Sequence, residues 1–480
     1  MVLSDDHAAA AISAYGGGLN STPHLDRLAQ EGARLDAMLC TNSVCTPSRA
    51  SILTGTYSHV HGAATIYTEF DHRLPTFPQV PHDHGYATAL FGKWHLGESE
   101  QALPRGFDAW RIFPGQGEYH DPVMIGPEGR AVVPGYATDI VTDMSLDWLR
   151  EQRRENPQQP FCLLVHHKAP QRNWQPHDRH RHLYPAGSIP EPETLFDDHA
   201  SRSRQMREVR MTIADDLTEN DLKEPLPPEL QGEENREART HRNYQLYLRD
   251  YLQTVQAVDD SMGRLLDELD AQGLAENTLV IYLSDQGFFL GEHGWYDKRL
   301  MFDESLRMPM MVRWPREVPA GGVVGALATN VDIAATLLEA TGLDPQAELP
   351  AQQGRRLLPL LRGTVPADWP TAMYYRYWEH LDCDHRAPAH YGVRTARYTY
   401  IDCYGAGMGA AGSSDEIVPQ EFELYDREVD PLELHNVVDD PAYAPVVAEL
   451  RAELARLQVE LGDEPYRGPD TPRPEWGPHA

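Results

Sequence analysis

Thiols are scarce in this chain and none of them is paired in sequence. The 480 residues include five cysteines, an odd number that contains no C-x-x-C pair. A framework of disulfides and a zinc site built from thiolates are therefore excluded as the basis of the fold. The five positions are Cys40, Cys45, Cys162, Cys383 and Cys403.

Long apolar runs are also lacking. No run approaches the roughly 20 apolar residues that cross a bilayer, so we predict no membrane partner. No secretory signal is visible, because Asp5 and Asp6 interrupt the first residues. Residues 1–6 read as the tail of a first strand, and we expect a few residues or a leader to be missing before them. The compartment stays open between cytoplasm, periplasm and the cell exterior.

Positive charge is in short supply. Lysine and arginine number 42 against 73 aspartates and glutamates, which gives a net charge of −31. Binding of nucleic acid through bulk electrostatics is excluded, and an anionic substrate would need a local basic pocket. The hydrophobic fraction of 41% and the charged fraction of 24% are ordinary for a globular protein. The length suffices for two domains with a sizeable core.

Apolar runs rich in β-branched and aromatic residues alternate with amphipathic stretches. Strands are predicted over 87–91, 161–165 and 278–283, and helices over 137–151 and 244–271. This alternation predicts an α/β fold with a sheet that carries helices on both faces. Ligands gather beyond the carboxyl ends of strands in such sheets, so polar residues there are the first candidates for a site.

Two changes of composition predict the domain organisation. Residues 178–239 are rich in charge and proline, which predicts either a surface excursion bordering the site or a solvated loop. Closely spaced prolines after 365 interrupt regular structure. We therefore predict a catalytic domain over 1–365 and a C-terminal α+β subdomain over 366–480. In this subdomain, short antiparallel strands are predicted over 392–395, 398–401 and 423–426. A helix is predicted over 441–461 and an irregular tail from Asp463 onward.

The most informative motif is Cys45-x-Pro47-Ser48-Arg49, followed by Thr54-Gly55. It lies at the start of a predicted helix, whose first turn offers free N–H groups and the positive end of a dipole to an anion. Arg49 adds a fixed cation. The alternative is a cysteine that is merely buried, the commonest fate of a free thiol.

Oxygen-rich residues follow two predicted strands. Asp5 and Asp6 come after the first, and Asp285 and Gln286 come before Gly287 after another. Together they would form a cage that suits Ca²⁺ or Mg²⁺ better than zinc. The alternative for each pair is an ordinary turn at a strand end.

Basic residues complete these patterns. Lys93 and His95 alternate after the strand at 87–91, in the run G-K-W-H-L-G, and Lys298 lies in the run over 291–299. Together with the Cys45 motif, these segments resemble the type I sulfatases, the formylglycine-dependent family of the alkaline phosphatase-like superfamily. The resemblance implies a large mixed, mostly parallel sheet flanked by helices.

The resemblance also implies the cofactors and the site. A formylglycine-generating or anaerobic sulfatase-maturating enzyme would convert Cys45 to formylglycine (3-oxoalanine), whose hydrate attacks sulfate esters. A divalent cation, usually Ca²⁺ with Mg²⁺ as the alternative, would assist it. The implied metal ligands are Asp5, Asp6, Cys45, Asp285 and Gln286. The implied catalytic residues are Cys45, Arg49, Lys93, His95 and Lys298.

One position departs from the family pattern. After the strand at 161–165, relatives carry a histidine that touches the bridging oxygen of the ester, and Gln171 occupies its place. Glutamine can donate a hydrogen bond but cannot act as an acid near neutral pH. Either Lys298 or His167 would then protonate the leaving group, or only esters with good leaving groups are cleaved, or the enzyme is weakened.

Aromatic, histidine and arginine residues over 374–380 and 385–392 resemble those of bacterial sulfatases that act on glycans. The resemblance favours a glycosaminoglycan substrate with 6-O-sulfated N-acetylglucosamine. The alternative for these segments is a purely structural role as a tyrosine-rich interior strand. Three other functions stay open, namely a broad arylsulfatase, a phosphate or phosphonate ester hydrolase, and a non-catalytic glycan-binding protein. The predicted substrate-binding residues are Gln171, His167, Arg299, His380 and His390.

Overall fold

A ten-stranded mixed sheet forms the centre of the protein. The computed structural model describes residues 1–469 and residue 471, and the remainder of the predicted irregular tail lies outside the described residues. The strands of the described residues are β1 (Val2–Ser4), β2 (Ala33–Leu35), β3 (Met38–Leu39), β4 (Ala87–Lys93), β5 (Ala109–Phe113), β6 (Val123–Gly126), β7 (Gly129–Val132), β8 (Phe161–His166), β9 (Val280–Ser284), β10 (Phe289–Leu290), β11 (Tyr296–Asp297), β12 (Met310–Arg313), β13 (Gly322–Val324), β14 (Ala328–Thr329), β15 (Ala372–Tyr377), β16 (His390–Thr395), β17 (Tyr398–Cys403) and β18 (Glu421–Asp426).

The order of the large sheet is β13-β2-β12-β9-β1-β8-β4-β5-β6-β7. Its central strands β9, β1, β8, β4 and β5 are all parallel, and Val2 of β1 pairs with Val165 on one side and Tyr282 on the other. Strands β12, β6 and β7 run antiparallel to their neighbours. The carboxyl ends of β1, β4, β8 and β9 therefore open at one edge of the sheet.

Helices cover both faces of this sheet, so the predicted α/β fold is confirmed. Ala89 and Phe91 of β4 pack in one apolar cluster, and Leu90 between them packs in another. This is the alternation that an extended strand imposes. The helices of the described residues are α1 (Pro23–Glu31), α2 (Cys45–Thr54), α3 (Ser58–His61), α4 (Gln79–Asp83), α5 (Ala137–Glu155), α6 (Arg204–Arg207), α7 (Glu219–Leu222), α8 (Arg236–Ala271), α9 (Asp303–Leu306), α10 (Asp332–Ala340), α11 (Pro345–Glu348), α12 (Leu358–Leu361) and α13 (Ala444–Leu461).

The two long helices that pack on the large sheet lie where the sequence predicts them, with different ends. Helix α5 continues to Glu155, and α8 begins at Arg236 rather than near 244. Val141 of α5 and Val258 and Met262 of α8 are buried in the same cluster as Ala89. Spacings of three and four residues place such side chains on one face of a helix, which explains the packing onto the sheet.

Residues 178–239 are folded against the core rather than solvated. The segment contains short helical turns, and its buried apolar side chains join the cluster that holds Trp174 and Tyr247. These side chains are Ile189, Leu195, Met206, Val209, Met211, Ile213, Leu217 and Leu222. The polar composition predicted an excursion because the apolar residues are spaced irregularly among charges.

The C-terminal part forms a smaller α+β unit. Strands β15, β16, β17 and β18 form an antiparallel sheet in sequence order. Leu450, Leu454 and Leu457 of α13 pack in one cluster with Tyr374 and Val393 of that sheet. Among the described residues, no helix has the length and apolarity that a membrane span requires.

Candidate active site

Helix α2 presents Cys45 at its first position. Every residue of this helix is buried, and the preceding Val44 has extended backbone and provides no side-chain cap. The N–H groups of a first turn lack partners within the helix, so this end is electropositive and open to an anion. Gly55 ends the helix in the left-handed conformation, at φ 68°. Thr54 and Gly55, which follow the motif, thus form the C-terminal end of the helix that carries the thiol, with Gly55 as its cap.

Three polar side chains surround the Cys45 thiol. Its Sγ lies 3.3 Å from Lys298 Nζ, 3.5 Å from Asp5 Oδ1 and 3.9 Å from Gln286 Nε2. Burial and the neighbouring Asp5 carboxylate raise the pKa of the thiol, so the unmodified cysteine is neutral at physiological pH. The structure therefore brings together three segments of the chain that lie far apart in the sequence.

Arg49 connects the strand ends around this thiol. Its Nε donates to Asp285 Oδ2 at 3.0 Å, its Nη2 to Asp5 Oδ2 at 2.7 Å and its Nη1 to the Lys93 carbonyl at 2.7 Å. One planar guanidinium thus joins the ends of β9, β1 and β4, a geometry that a lysine ammonium cannot reproduce.

Three buried carboxylates lie close to buried cations. Lys93 Nζ lies 2.7 Å from Asp5 Oδ2, and Lys298 forms an ion pair with Asp6. Burial and the charge of Asp5 raise the pKa of Asp285 to about 8, and burial also raises the pKa of Asp6. Burial opposes ionisation of Asp5 as well, but Lys93 and other cations hold its pKa well below the usual value. The crowded carboxylates repel one another.

The same carboxylates fit a divalent cation. Asp5, Cys45 and Asp285 each offer one ligand atom, and these atoms lie within 4.8 Å of one another. Gln286 Oε1 is buried without a hydrogen-bond partner among the described residues. Carboxylate and amide oxygens are the donors that Ca²⁺ and Mg²⁺ prefer. The residues present, with Asp6 beside them, therefore suit a hard divalent metal.

His95 lies beside this cluster, just beyond the end of β4. Its backbone adopts φ 55°, and its carbonyl accepts a hydrogen bond of 2.9 Å from Thr46 Oγ1 on α2. Its Nδ1 is buried and has no hydrogen-bond partner in the part of the chain that the structure describes. Burial and the Lys93 ammonium lower the pKa of His95 well below its usual value, which keeps the imidazole neutral.

Gln171 lies on the loop after β8, where the backbone N–H of Asp5 donates to the Ala169 carbonyl at 3.3 Å. Lys168 Nζ donates to Gln171 Oε1 at 2.7 Å. Among the described residues this is the only hydrogen bond of the Gln171 side chain, so its amide NH₂ remains for a ligand. No separate signal in the sequence pointed to Lys168.

His167 does not reach this cluster. Its Nε2 lies 3.0 Å from Ser261 Oγ on α8, while the Nδ1 of His166 faces the Lys93 carbonyl at 3.2 Å. Consecutive residues of an extended chain point to opposite sides, so His167 faces the helix layer rather than the thiol. The expectation that His167 contacts the substrate or protonates the leaving group is thereby corrected.

Arg299 begins a second polar cluster next to Lys298. It forms an ion pair with Asp297, which lies 3.5 Å from His385 Nε2, and His385 Nδ1 lies 3.0 Å from Asp382 Oδ1. We call Asp297, Arg299, Asp382 and His385 the Arg299 cluster. Asp297, Asp382 and His385 were not predicted as site residues. The available signals were the position of Asp297 beside Lys298 and the D-x-x-H spacing of the other two.

His380 and His390 lie in the C-terminal unit, behind the Arg299 cluster. The ring of His390 stacks on Tyr375 at a centroid distance of 5.4 Å, and Tyr375 donates its hydroxyl to the Arg299 carbonyl. His380 Nδ1 accepts from the Ala389 N–H at 3.2 Å. The Nε2 atoms of both histidines are buried and lack hydrogen-bond partners among the described residues.

Comparisons with known proteins agree with this geometry. The profile of the family described as Sulfatase matches residues 1–343. The chain belongs to the sulfatase family. A second profile, N-sulphoglucosamine sulphohydrolase C-terminal, matches residues 291–460. The chain is accordingly a sulfuric ester hydrolase with the alkaline phosphatase-like fold.

Individual relatives are similar along most of the chain. The N-acetylglucosamine-6-O-sulfatase of Bacteroides thetaiotaomicron is 39% identical over 96% of this chain and 86% of its own length. A solved structure of a protein bound to its substrate D-glucosamine-2-N,6-O-disulfate superimposes with a TM-score of 0.86, at 38% identity, over 96% of this chain and 97% of the other. The phosphonate monoester hydrolase of Agrobacterium radiobacter shares the fold, with a TM-score of 0.74 at 21% identity, over 96% of this chain and 95% of the other.

Proposed function

We propose that this sulfatase removes the 6-O-sulfate of N-acetylglucosamine or glucosamine units in a sulfated glycan such as a glycosaminoglycan. The single observation that carries the proposal is the placement of Cys45 at an electropositive helix start, with Lys298 at 3.3 Å and Asp5 at 3.5 Å. The relative at 39% identity and the solved structure at 38% identity support the choice of sugar, because the first is an N-acetylglucosamine-6-O-sulfatase and the second is bound to its substrate D-glucosamine-2-N,6-O-disulfate.

Residue 45 would act as formylglycine, after oxidation of the cysteine by a maturating enzyme. A hydrated aldehyde supplies two hydroxyls on one carbon, where a thiol supplies one weakly polar S–H. A divalent cation, Ca²⁺ in preference to Mg²⁺, would be held by Asp5, Asp6, Asp285 and Gln286 and would supply Lewis-acid stabilisation of negative charge. Lysines and arginines of the chain supply the remaining positive charge.

The buried cations would bind the sulfate group of the substrate. Lys93 and Lys298 face the space around Cys45, and the first turn of α2 adds its dipole. These groups are fixed in place before the substrate arrives, so they stabilise developing charge without reorganisation. They also explain how a chain with a net charge of −31 attracts an anion, since the attraction is local.

Proton movement requires a base and an acid. His95 is neutral, and its buried Nδ1 has no hydrogen-bond partner among the described residues, so it can accept the proton that is lost from residue 45 when inorganic sulfate is released. Because His167 faces α8, Lys298 is the proton donor that we propose for the departing alcohol, and Gln171 contributes a hydrogen bond to it.

The Arg299 cluster offers groups that recognise the sugar. The carboxylates of Asp297 and Asp382 can accept hydrogen bonds from hydroxyls, and Arg299 can bind an anionic substituent. Arg299 Nε is buried and has no partner among the described residues, so this donor is available. Its position beside Lys298 supports a role for the cluster next to the reacting sulfate.

Mass spectrometry of the Cys45 peptide, after production with a maturating enzyme, tests the nucleophile. We expect the mass change from thiol to aldehyde, and release of sulfate from N-acetylglucosamine 6-sulfate that the Cys45→Ala variant lacks. The Ala variant should keep the fold, because the side chain it replaces is small and buried. A Cys45→Ala enzyme with the parent rate would refute the assignment.

A substrate panel tests the sugar and the ester. N-acetylgalactosamine 6-sulfate, nitrophenyl sulfate and nitrophenyl phosphate serve as comparisons with N-acetylglucosamine 6-sulfate. We expect the highest kcat/KM for the glucosamine sugar and little turnover of the phosphate. Preference for the phosphate would favour an ester hydrolase of the phosphonate type, and glycan binding without release of sulfate would favour a non-catalytic role.

A further inference from the structure

Tyr67 is an exposed aromatic residue at the rim of the site. It is 55% exposed, although its neighbours Thr65 and Phe70 are buried. It lies on the loop of residues 64–70, which follows α3, and the mechanism proposed above gives this ring no role. An aromatic ring open to solvent beside a binding site is a candidate contact surface, because its apolar face and its polar hydroxyl can both meet a ligand.

The loop of Tyr67 is held between two walls of the site. On one side, the Phe70 N–H donates to the Leu96 carbonyl at 2.8 Å, one residue after His95. On the other side, the Ile66 N–H donates to Glu379 Oε1 at 2.7 Å. Glu379 precedes His380, and its charge acts on Arg299. Tyr67 is therefore located between the catalytic wall and the wall that we assign to the sugar.

The Tyr67 ring is supported from behind by backbone. A Cβ at position 412 would lie 2.2 Å from two carbons of the ring, so a larger residue there would displace the ring from its present position. Gly412 also has φ 80°, a conformation that favours glycine. Because Gly412 packs against part of the ring while more than half of the residue is exposed, the ring offers a ligand a supported surface with few rotatable bonds to immobilise.

We propose that Tyr67 forms an outer subsite that stacks on the hexopyranose adjacent to the sulfated glucosamine. One face of a pyranose ring presents several C–H bonds, which pack well against an aromatic face. The exposed carboxylates of Glu69 and Asp384 lie on the same rim, so an uncharged neighbouring sugar is favoured over a uronate. This inference rests on the proposed function and specifies how more than one sugar unit is bound.

Kinetics with one sugar and with two sugars test the subsite. The substrates are N-acetylglucosamine 6-sulfate and the same sugar joined to an uncharged hexose. Tyr67→Ala should raise KM for the disaccharide about tenfold with kcat nearly unchanged, and should leave the monosaccharide unaffected. Tyr67→Phe should behave as the parent enzyme, since stacking requires the ring and not the hydroxyl. Val459→Ala, at an exposed position of α13, is the matched control.

Equal effects of Tyr67→Ala on both substrates, or no effect on either, would overturn the subsite. Binding provides a readout that does not depend on turnover. Calorimetry with the sulfated disaccharide compares Cys45→Ala with the double variant that adds Tyr67→Ala, and about tenfold weaker binding by the double variant is expected. If the parent enzyme released no sulfate from either sugar, the proposed function would fail, while this binding comparison would still decide the subsite.

Discussion

The ammonium of Lys168 lies 2.7 Å from the side-chain carbonyl of Gln171 and 3.2 Å from the Arg172 carbonyl. An ammonium can only donate hydrogen bonds, so it fixes which end of the Gln171 amide faces it. The NH₂ end is then the one that can donate to the substrate, in the role proposed for Gln171 above. Burial and the charge of Lys93 lower the pKa of Lys168 to about 7.

Lys168→Met should therefore reduce kcat on sugar sulfates about tenfold, since a hydrogen bond to a charged group contributes about 1.5 kcal/mol. Nitrophenyl sulfate, whose leaving group needs little assistance, should be affected less. Lys168→Arg should retain most activity and should shift any alkaline limb of the kcat profile near pH 7 upward, because arginine stays charged. An unchanged kcat for the Met variant would remove Lys168 from this role.

Gln171→His should raise activity on unactivated sugar sulfates more than on nitrophenyl sulfate. An imidazole can accept a hydrogen bond from Lys168 with one nitrogen and donate a proton to the alcohol with the other. The measurement is the ratio of kcat/KM for the two substrates. Equal changes for both would show that residue 171 does not assist the leaving group.

Arg49→Lys should abolish most activity and lower the melting temperature. The guanidinium makes three hydrogen bonds, to Asp285, Asp5 and the Lys93 carbonyl, and lysine cannot make all three. Breaking a buried ion pair costs about 3–5 kcal/mol, because it leaves a charge without its partner. Thermal unfolding measures the stability, and sulfate release measures the rate. A Lys variant with parental stability would contradict the network described here.

Ca²⁺ should raise the melting temperature of the parent protein and EDTA should lower it. The carboxylates of Asp5, Asp6 and Asp285 crowd together, and a ligand that binds only the folded state stabilises it by mass action. Asp285→Asn should largely remove the response to the ion, and a matched substitution at an exposed carboxylate, Asp368→Asn, should preserve it. A response to Ca²⁺ that is identical in the Asp285 variant would place the ion elsewhere.

His61 should contribute to acid unfolding. Burial lowers its pKa to about 3, and its nitrogens contact Ser51 Oγ and the Ala63 N–H at 3.1 Å each. The unfolded chain binds a proton near pH 6.5 and the folded chain does not, so stability falls as pH decreases below 6.5. The loss is about 1.4 kcal/mol per pH unit.

The His61→Gln variant lacks this proton uptake. Its stability relative to the parent should therefore improve by about 2 kcal/mol between pH 6.5 and pH 5. Denaturant titrations at several pH values measure the difference. Parallel pH dependences for the two proteins would contradict the prediction.

The residues that could be predicted from the sequence share a simple local signal. Cys45 is the first residue of both a short motif and a helix, and Asp5, Lys93 and Asp285 follow apolar runs that form β1, β4 and β9. Parallel strands end at one edge of a sheet, so polar residues after several strands converge. That rule needs no knowledge of which strands are neighbours.

The remaining features depend on long-range packing. His167 and Lys168 are adjacent polar residues, and only the direction of β8 relative to α8 shows that the first faces the helices. The prediction started α8 near residue 244, whereas the helix starts at Arg236. In its first turns, Arg239 is buried and donates hydrogen bonds to the carbonyls of Leu230 and Gly232, and this packing is not visible in the sequence. Asp297 and His385 meet although 88 positions separate them in the sequence.

The thiol of Cys45 has no exposed surface, and the helix that carries it is buried over its whole length. An enzyme that oxidises this side chain could not reach it in the folded protein. The timing of biosynthesis follows from this, since conversion would have to occur on the nascent or unfolded chain. Protein purified as the thiol form should then stay inactive when the maturating enzyme is added afterwards, and should gain activity only after unfolding, treatment and renaturation.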